Sequence, residues 1–123
     1  MKEKWTVEFT DEFGEWWEYQ LTDVQEKIYK IVGLLEINGP NLGSPYSSEV
    51  KGSRIALREL RVQCDGEPYR ILYAFDPVRC ALLLLGGNKA GDNNWYEKNV
   101  PIAERLYEQH LKELEEENNE RTS

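Results

Sequence analysis

The sequence is poor in the residues that build metal centres. It has one histidine, His110, and two cysteines, Cys64 and Cys80. The cysteines lack metal-ligand spacing and a single imidazole cannot complete a His-rich site, so no metal and no cofactor are expected. Without an export signal the two thiols read as reduced. No apolar run approaches the roughly 20 residues of a membrane span, and the opening MKEKWTVEFT lacks the apolar stretch of a signal peptide. The expectation is a soluble, cytoplasmic protein with no membrane partner. Positive charge is scarce too: 15 Lys and Arg stand against 23 Asp and Glu, a net charge of −8. Taken alone, that balance argues against a nucleic-acid ligand.

What is present points to a packed globule. A chain of 123 residues with 40% hydrophobic content and four tryptophans suits one domain, 1–123, with a single core. The charge is unevenly spread. Residues 1–49 carry 4 basic and 10 acidic groups, residues 50–92 carry 7 and 5, and residues 93–123 carry 4 and 8. Only the middle third is net positive. The acids fall mostly on predicted helices, where a charge run is ordinarily a solvated face.

WTVEF alternates Trp5, Val7 and Phe9 with Thr6 and Glu8, a first strand. Thr10 followed by Asp11 and Glu12 starts a short helix, with Phe13, Trp16, Trp17 and Tyr19 as its apolar side. A second helix begins at Thr22, where TDVQ fits a capping box with Gln25. Val24, Ile28, Ile31 and Leu35 form its apolar face, and Asn38-Gly39-Pro40 ends it. Residues 41–54 read as a loop. Three strands follow, at Ile55–Gln63, Tyr69–Phe75 and Cys80–Leu85, the last closed by Gly86-Gly87. Pro101 fits the first turn of a final helix with Ala103, Leu106, Tyr107, His110, Leu111 and Leu114 on one side. Residues 115–123 read as a frayed acidic tail. The fold class is α+β: a small, mainly antiparallel sheet with two N-terminal helices and one C-terminal helix, the helices against one face.

Asp65-Gly66 between two alternating runs signals a two-residue hairpin turn. Centred there, the register sets Arg61 opposite Arg70. Like charges facing each other across a strand pair are unfavourable by a few tenths of a kcal/mol or more, so the pair calls for a reason. One hairpin face carries Leu60, Val62, Tyr69 and Ile71, and suits the helices. The other carries Glu59, Arg61, Gln63, Arg70 and Leu72, and suits solvent or a partner. With Asp76–Arg79 as the next turn, Arg70 falls beside Leu85. Gly86, Gly87, Asn88 and Lys89 then emerge at the same sheet end, and three cations beside a glycine pair form a candidate anion site. The competing reading is that Glu59 and neighbouring acids neutralise both arginines. Trp95 and Tyr96, outside the predicted strands, are candidates for stacking on bases.

The segments LRELR (57–61), PYRILYAFD (68–76), LLLLGGNK (82–89) and AERLYEQHL (103–111) resemble the RelE/ParE superfamily of bacterial toxins, in its HigB-like, phage-associated branch. The resemblance covers nearly the whole chain. It implies a RelE-like fold and the toxin of a type II toxin–antitoxin system, a ribosome-dependent messenger-RNA endonuclease that inhibits translation. It also implies a small helix-turn-helix antitoxin as partner. Arg61, Arg70 and Lys89 match the recurrent basic residues of the HigB-like pattern, and Tyr96 a late aromatic; these are the expected catalytic residues. Lys51 and Arg54 sit where other members are basic and, with Asn88 and Trp95, are the expected RNA-binding residues. Arginine stays charged and binds phosphate oxygens in a fork, so charge stabilisation suits it better than proton transfer. The expected reaction needs no metal. Two alternatives stand beside it: a ParE-like inhibitor of DNA gyrase, which needs no catalytic cations, and a non-catalytic relic that keeps only antitoxin binding.

Overall fold

Five strands and three α-helices make up the computed structural model, which describes residues 4–122. In chain order they are β1 (Thr6–Phe9), α1 (Asp11–Glu18), α2 (Thr22–Asn38), a 3-10 turn (Gly39–Asn41), β2 (Ser47–Glu49), β3 (Arg58–Cys64), β4 (Glu67–Phe75), β5 (Cys80–Asn88) and α3 (Trp95–Thr122). The sheet order is β1-β5-β4-β3-β2. Only β1 runs parallel to its neighbour, β5; the remaining pairs are antiparallel. The α1–α2 pair between β1 and the hairpins lets the chain cross back over the sheet before β2.

Local chemistry sets several boundaries. Thr10 caps α1, its hydroxyl accepting the Phe13 amide at 3.0 Å. The capping box expected at Thr22 does not form. Leu21 is the N-cap, its carbonyl accepts the Gln25 amide, and the Gln25 side chain donates instead to the Trp17 carbonyl at 2.8 Å. Gly39 ends α2 with φ of 54° against the Trp5 ring, where a Cβ would lie 2.3 Å from the indole nitrogen. Only glycine satisfies both constraints. The predicted loop 41–54 contains β2, an edge strand of three residues too short to leave a periodic signal.

Asp65 and Gly66 both take positive φ, 51° and 77°, and Cys64 pairs with Glu67 around them. Positive φ at both central residues is the hairpin turn whose twist matches the strands. The predicted register follows: Leu60 faces Ile71, Arg61 faces Arg70 and Val62 faces Tyr69. The next hairpin departs from expectation. The turn already pairs Phe75 with Ala81, one residue beyond the expected register. A bulge between Leu72 and Tyr73 adds a second, setting Leu72 opposite Leu85 but Tyr73 opposite Leu83, so Arg70 lies beside Gly87 and not Leu85. Gly86 and Gly87 do not end β5; they lie inside it, each admitting a tryptophan. A Cβ on Gly86 would meet Trp16 at 2.4 Å, and one on Gly87 would meet the Trp95 indole nitrogen at 2.6 Å.

The sheet is covered on both faces, which corrects the one-sided arrangement. Phe13, Val24, Ile28 and Leu35 of α1 and α2 pack on Leu60, Val62, Ile71, Tyr73, Ala81 and Leu83. Trp95 and Ala103 of α3 pack on Leu72, Ala74, Leu82 and Leu84. Alternation along β4 and β5 feeds both cores, so these strands read as continuous apolar runs. The final helix starts at Trp95, not at Pro101, which lies inside it. Asp92 supplies the start: its side chain accepts the Asn94 amide at 3.0 Å and the Lys98 ammonium at 3.1 Å, and Asn94 accepts the Lys98 amide. The helix continues past Leu114 to Thr122; Ser123 lies outside the described residues. Among the described residues, no helix is long and apolar enough to cross a membrane.

Candidate functional site

The opposed arginines are held by one carboxylate. Glu59 sits two residues before Arg61 on the same face of β3. Its Oε1 lies 3.2 Å from Arg61 Nε and 3.5 Å from Arg70 Nε. Glu59 and Arg70 are largely covered, with side chains 6% and 13% exposed, while Arg61 is 46% exposed. The carboxylate offsets the repulsion that the register imposes. Arg70 also donates from Nη1 to the Tyr69 carbonyl at 2.9 Å. Its buried Nε has no true hydrogen bond, because 3.5 Å serves ion pairing but is too long for a good N–H···O contact. Ser48 reaches the same carboxylate oxygen at the long distance of 3.5 Å.

Tyr96, in the first turn of α3, completes the cluster. Burial pushes its hydroxyl above the ordinary phenol value; Glu59 adds to the rise and Arg70 opposes it. The phenol therefore stays protonated at neutral pH and sits within the influence of both groups. A carboxylate, two guanidiniums and a neutral phenol are thus gathered from β3, β4 and α3. That set can accept a proton, stabilise a dianionic phosphorus centre and donate a proton.

Two clefts flank the cluster. One, of about 570 Å³, opens between β2, the following loop and α3, and is lined by Glu59 and Tyr96 together with Glu49, Lys51, Arg54 and Glu104. Its arginine is matched by acids. The Arg54 guanidinium pairs with Glu108 at 2.8 Å and with Glu104 at 3.3 Å. Glu104, itself buried, also accepts from the Arg54 amide and the Ser53 hydroxyl. Those bonds, the Arg54 amide first, hold its carboxyl below the usual range. The second cleft, of about 530 Å³, lies between α2 and the end of β3 that β2 leaves uncovered. Lys27, Lys30, Arg61 and Arg70 line it, with Tyr46 and no carboxylate.

Arg61, Arg70 and Tyr96 therefore come together. Lys89 does not join them; it follows β5, its amide donates to the Pro68 carbonyl, and it lines neither cleft. Trp95 is only 5% exposed, wedged over Gly87 and edge-on to Tyr96 at 5.2 Å, so its expected role on RNA bases is corrected to packing. Asn88 is exposed at the far strand end, bonded to Glu67 and to the Ala90 amide. His110 was grouped with the apolar side of the last helix, yet its Nε2 meets the buried Asp76 carboxylate at 2.7 Å. Sequence reasoning missed Lys27, Lys30 and Tyr46. The available signal was that Lys27 and Lys30 flank the Ile28–Ile31 apolar stripe, so both must sit where α2 meets the sheet.

Sheet order and helix placement define the class: this is a RelE-like α+β fold. It is similar to the crystal structure of the archaeal RelE–RelB complex from Pyrococcus horikoshii OT3, with a TM-score of 0.54 at 13% identity, covering 72% of this chain and 98% of that one. At that identity the likeness speaks for fold alone. Residues 15–108 match the family described as "Phage derived protein Gp49-like", and the chain belongs to that family. It is 43% identical over 100 residues to "Putative toxin HigB3" of Mycobacterium tuberculosis, covering 79% of this chain and 86% of that protein. It is 35% identical over 114 residues to "Putative toxin HigB2" of the same organism, covering 90% of this chain and 56% of that one. The chain thus spans little more than half of HigB2.

Proposed function

We propose that this protein is the toxin of a type II toxin–antitoxin system and inhibits translation by cutting messenger RNA on the ribosome. The observation that carries the reading is the Glu59 carboxylate between Arg61 and Arg70, beside the Tyr96 hydroxyl. Glu59 takes the proton of an RNA 2′-hydroxyl. The freed O2′ attacks the adjacent phosphorus, and Arg61 and Arg70 stabilise the charge that develops on the phosphorane oxygens. As the O2′–P bond forms, the P–O5′ bond breaks, and the leaving O5′ takes the Tyr96 proton. The products are a 2′,3′-cyclic phosphate and a free 5′-hydroxyl, and the proton on Glu59 returns to Tyr96 through solvent. Lys89 has no part in this scheme.

The partners follow from the same reading: the ribosome with its messenger RNA, and a helix-turn-helix antitoxin that silences the toxin. The HigB-named relatives support the toxin class, and the archaeal protein of the same fold was crystallised with RelB. The test is ribosome-dependent cleavage after Arg70→Ala. Loss of a preorganised charge-stabilising donor lowers the rate about 10²–10³-fold. Unchanged cutting by a folded variant removes the assignment. Growth arrest that stops DNA replication before translation would support gyrase inhibition instead.

A further inference from the structure

We propose that the cleft between α2 and the uncovered end of β3 is a binding track for single-stranded RNA next to the scissile phosphate. In it Lys27 and Lys30 neutralise backbone phosphates and Tyr46 stacks on a base. This deepens the nuclease reading and rests on it.

The first observation is charge. The protein carries −8 overall, yet four cationic side chains line this cleft and no carboxylate does. Across the cluster, in the other cleft, Glu49, Glu59, Glu97 and Glu104 line the wall with Lys51 and Arg54. A concave surface of one sign concentrates counter-charge, and a low-dielectric wall sharpens the effect. The second is availability. Lys30 makes no hydrogen bond or ion pair among the described residues. Lys27 spends one of its three donors on the Gln63 carbonyl, at 3.2 Å, which places its ammonium against the strand end and leaves two donors open.

Continuity is the third. Arg61 and Arg70 line this cleft and also contact Glu59, so a strand whose scissile phosphate sits at the two guanidiniums runs directly between α2 and β3. The fourth is aromatic. Tyr46 is 40% exposed on the cleft wall, and its carbonyl accepts the Arg61 amide at 2.8 Å, tying the ring's backbone to the arginine. Cations alternating with an exposed ring form the platform that single strands occupy, phosphates on the charges and bases on the π-face.

Binding of a fluorescein-labelled 12-nucleotide oligouridylate to the full chain, followed by anisotropy from low to moderate salt, tests this without ribosomes or cleavage. For Lys27→Gln with Lys30→Gln, the slope of log affinity against log salt becomes shallower by about 1.4, two single-strand phosphate contacts at about 0.7 each. Lys30→Gln alone gives half that change and leaves the Gln63 contact intact. Tyr46→Ala weakens binding about tenfold with the slope unchanged.

A double variant with the wild-type slope overturns the proposal, as does a wild-type protein that does not bind the oligonucleotide at low salt. A double variant that keeps the wild-type RNA affinity and slope but no longer binds a polyglutamate peptide also overturns it and makes the cleft a protein interface. If Arg70→Ala cuts normally while the slope still falls, the reaction is lost and the track stands. If Arg70→Ala is inactive and the slope does not move, the reaction stands and the track is lost.

Discussion

The two clefts beside Glu59 are nearly equal in size and opposite in electrostatics. In the one against α3, Arg54 is shared by Glu104 and Glu108, and four carboxylates line the wall with only two cations, Lys51 and Arg54. In the one against α2, four cations and no carboxylate form the lining; Glu59 reaches Arg61 and Arg70 from outside it, and Lys27 and Lys30 have no acid partner among the described residues. Their locations in the sequence would suggest the reverse. Lys51 and Arg54 lie in the only net-positive third, and Lys27 and Lys30 in the most acidic one. Net charge along a chain therefore says little about which cations are free; pairing in three dimensions decides that. Glu59 belongs to both sides, pairing the arginines of one cleft while lining the other.

The comparison assigns chemistry to the α3 side and strand binding to the α2 side, and variants on the α3 side can break that division. Tyr96→Phe removes the proton donor and keeps the ring, so ribosome-dependent cleavage falls about 10²-fold with the oligonucleotide salt slope unchanged. A slope that moved with Tyr96 would merge the two clefts into one function. Gly87→Ala places a methyl 2.6 Å from the Trp95 indole. Overpacking of this kind costs about 1–3 kcal/mol, read as a lower denaturation midpoint, and it displaces Tyr96 with its helix turn. Cleavage then falls while the lysine-lined cleft keeps its slope.

The smallest effect is a pH dependence. Glu104 holds the Ser53–Arg54 loop to α3, and its carboxyl is depressed below the ordinary 4.5. A depressed carboxyl contributes stability that is full above the unfolded value and disappears as pH falls through the folded one. Glu104→Gln therefore lowers the melting temperature at pH 7, and the gap from wild type closes as the pH drops below about 4.5. A gap that persists in acid would mean the loop is held by packing and not by charge.

The hairpin at Asp65-Gly66 was legible because a two-residue turn leaves one register, and that register alone put Arg61 against Arg70. Glu59 was legible as their competitor for the same reason. The next hairpin was misread by two residues: its turn pairs Phe75 with Ala81, one residue beyond the expected register, and a bulge at Leu72–Tyr73 adds the second. The cover on the second face was lost with the start of α3. Pro101 looked like a helix opening, whereas Asp92 and Asn94 had already nucleated the turn that carries Trp95 and Tyr96. Trp95 looked free for stacking on bases because Gly87 gives no hint in sequence that an indole lies over it. Lys27 and Lys30 could be placed on a helix but not beside Arg61, since only tertiary packing brings α2 to the end of β3.

The central claim is that one carboxylate both restrains the paired arginines and takes the proton that starts cleavage. Single-turnover cutting of ribosome-bound messenger RNA by Glu59→Gln tests it most directly, because glutamine keeps the shape and a hydrogen-bonding oxygen but cannot act as the base. The account predicts a rate about 10²–10⁴-fold below wild type from a protein that still folds and still binds ribosomes. Cleavage at the wild-type rate would contradict it and leave Glu59 as nothing more than the counter-ion of Arg61 and Arg70.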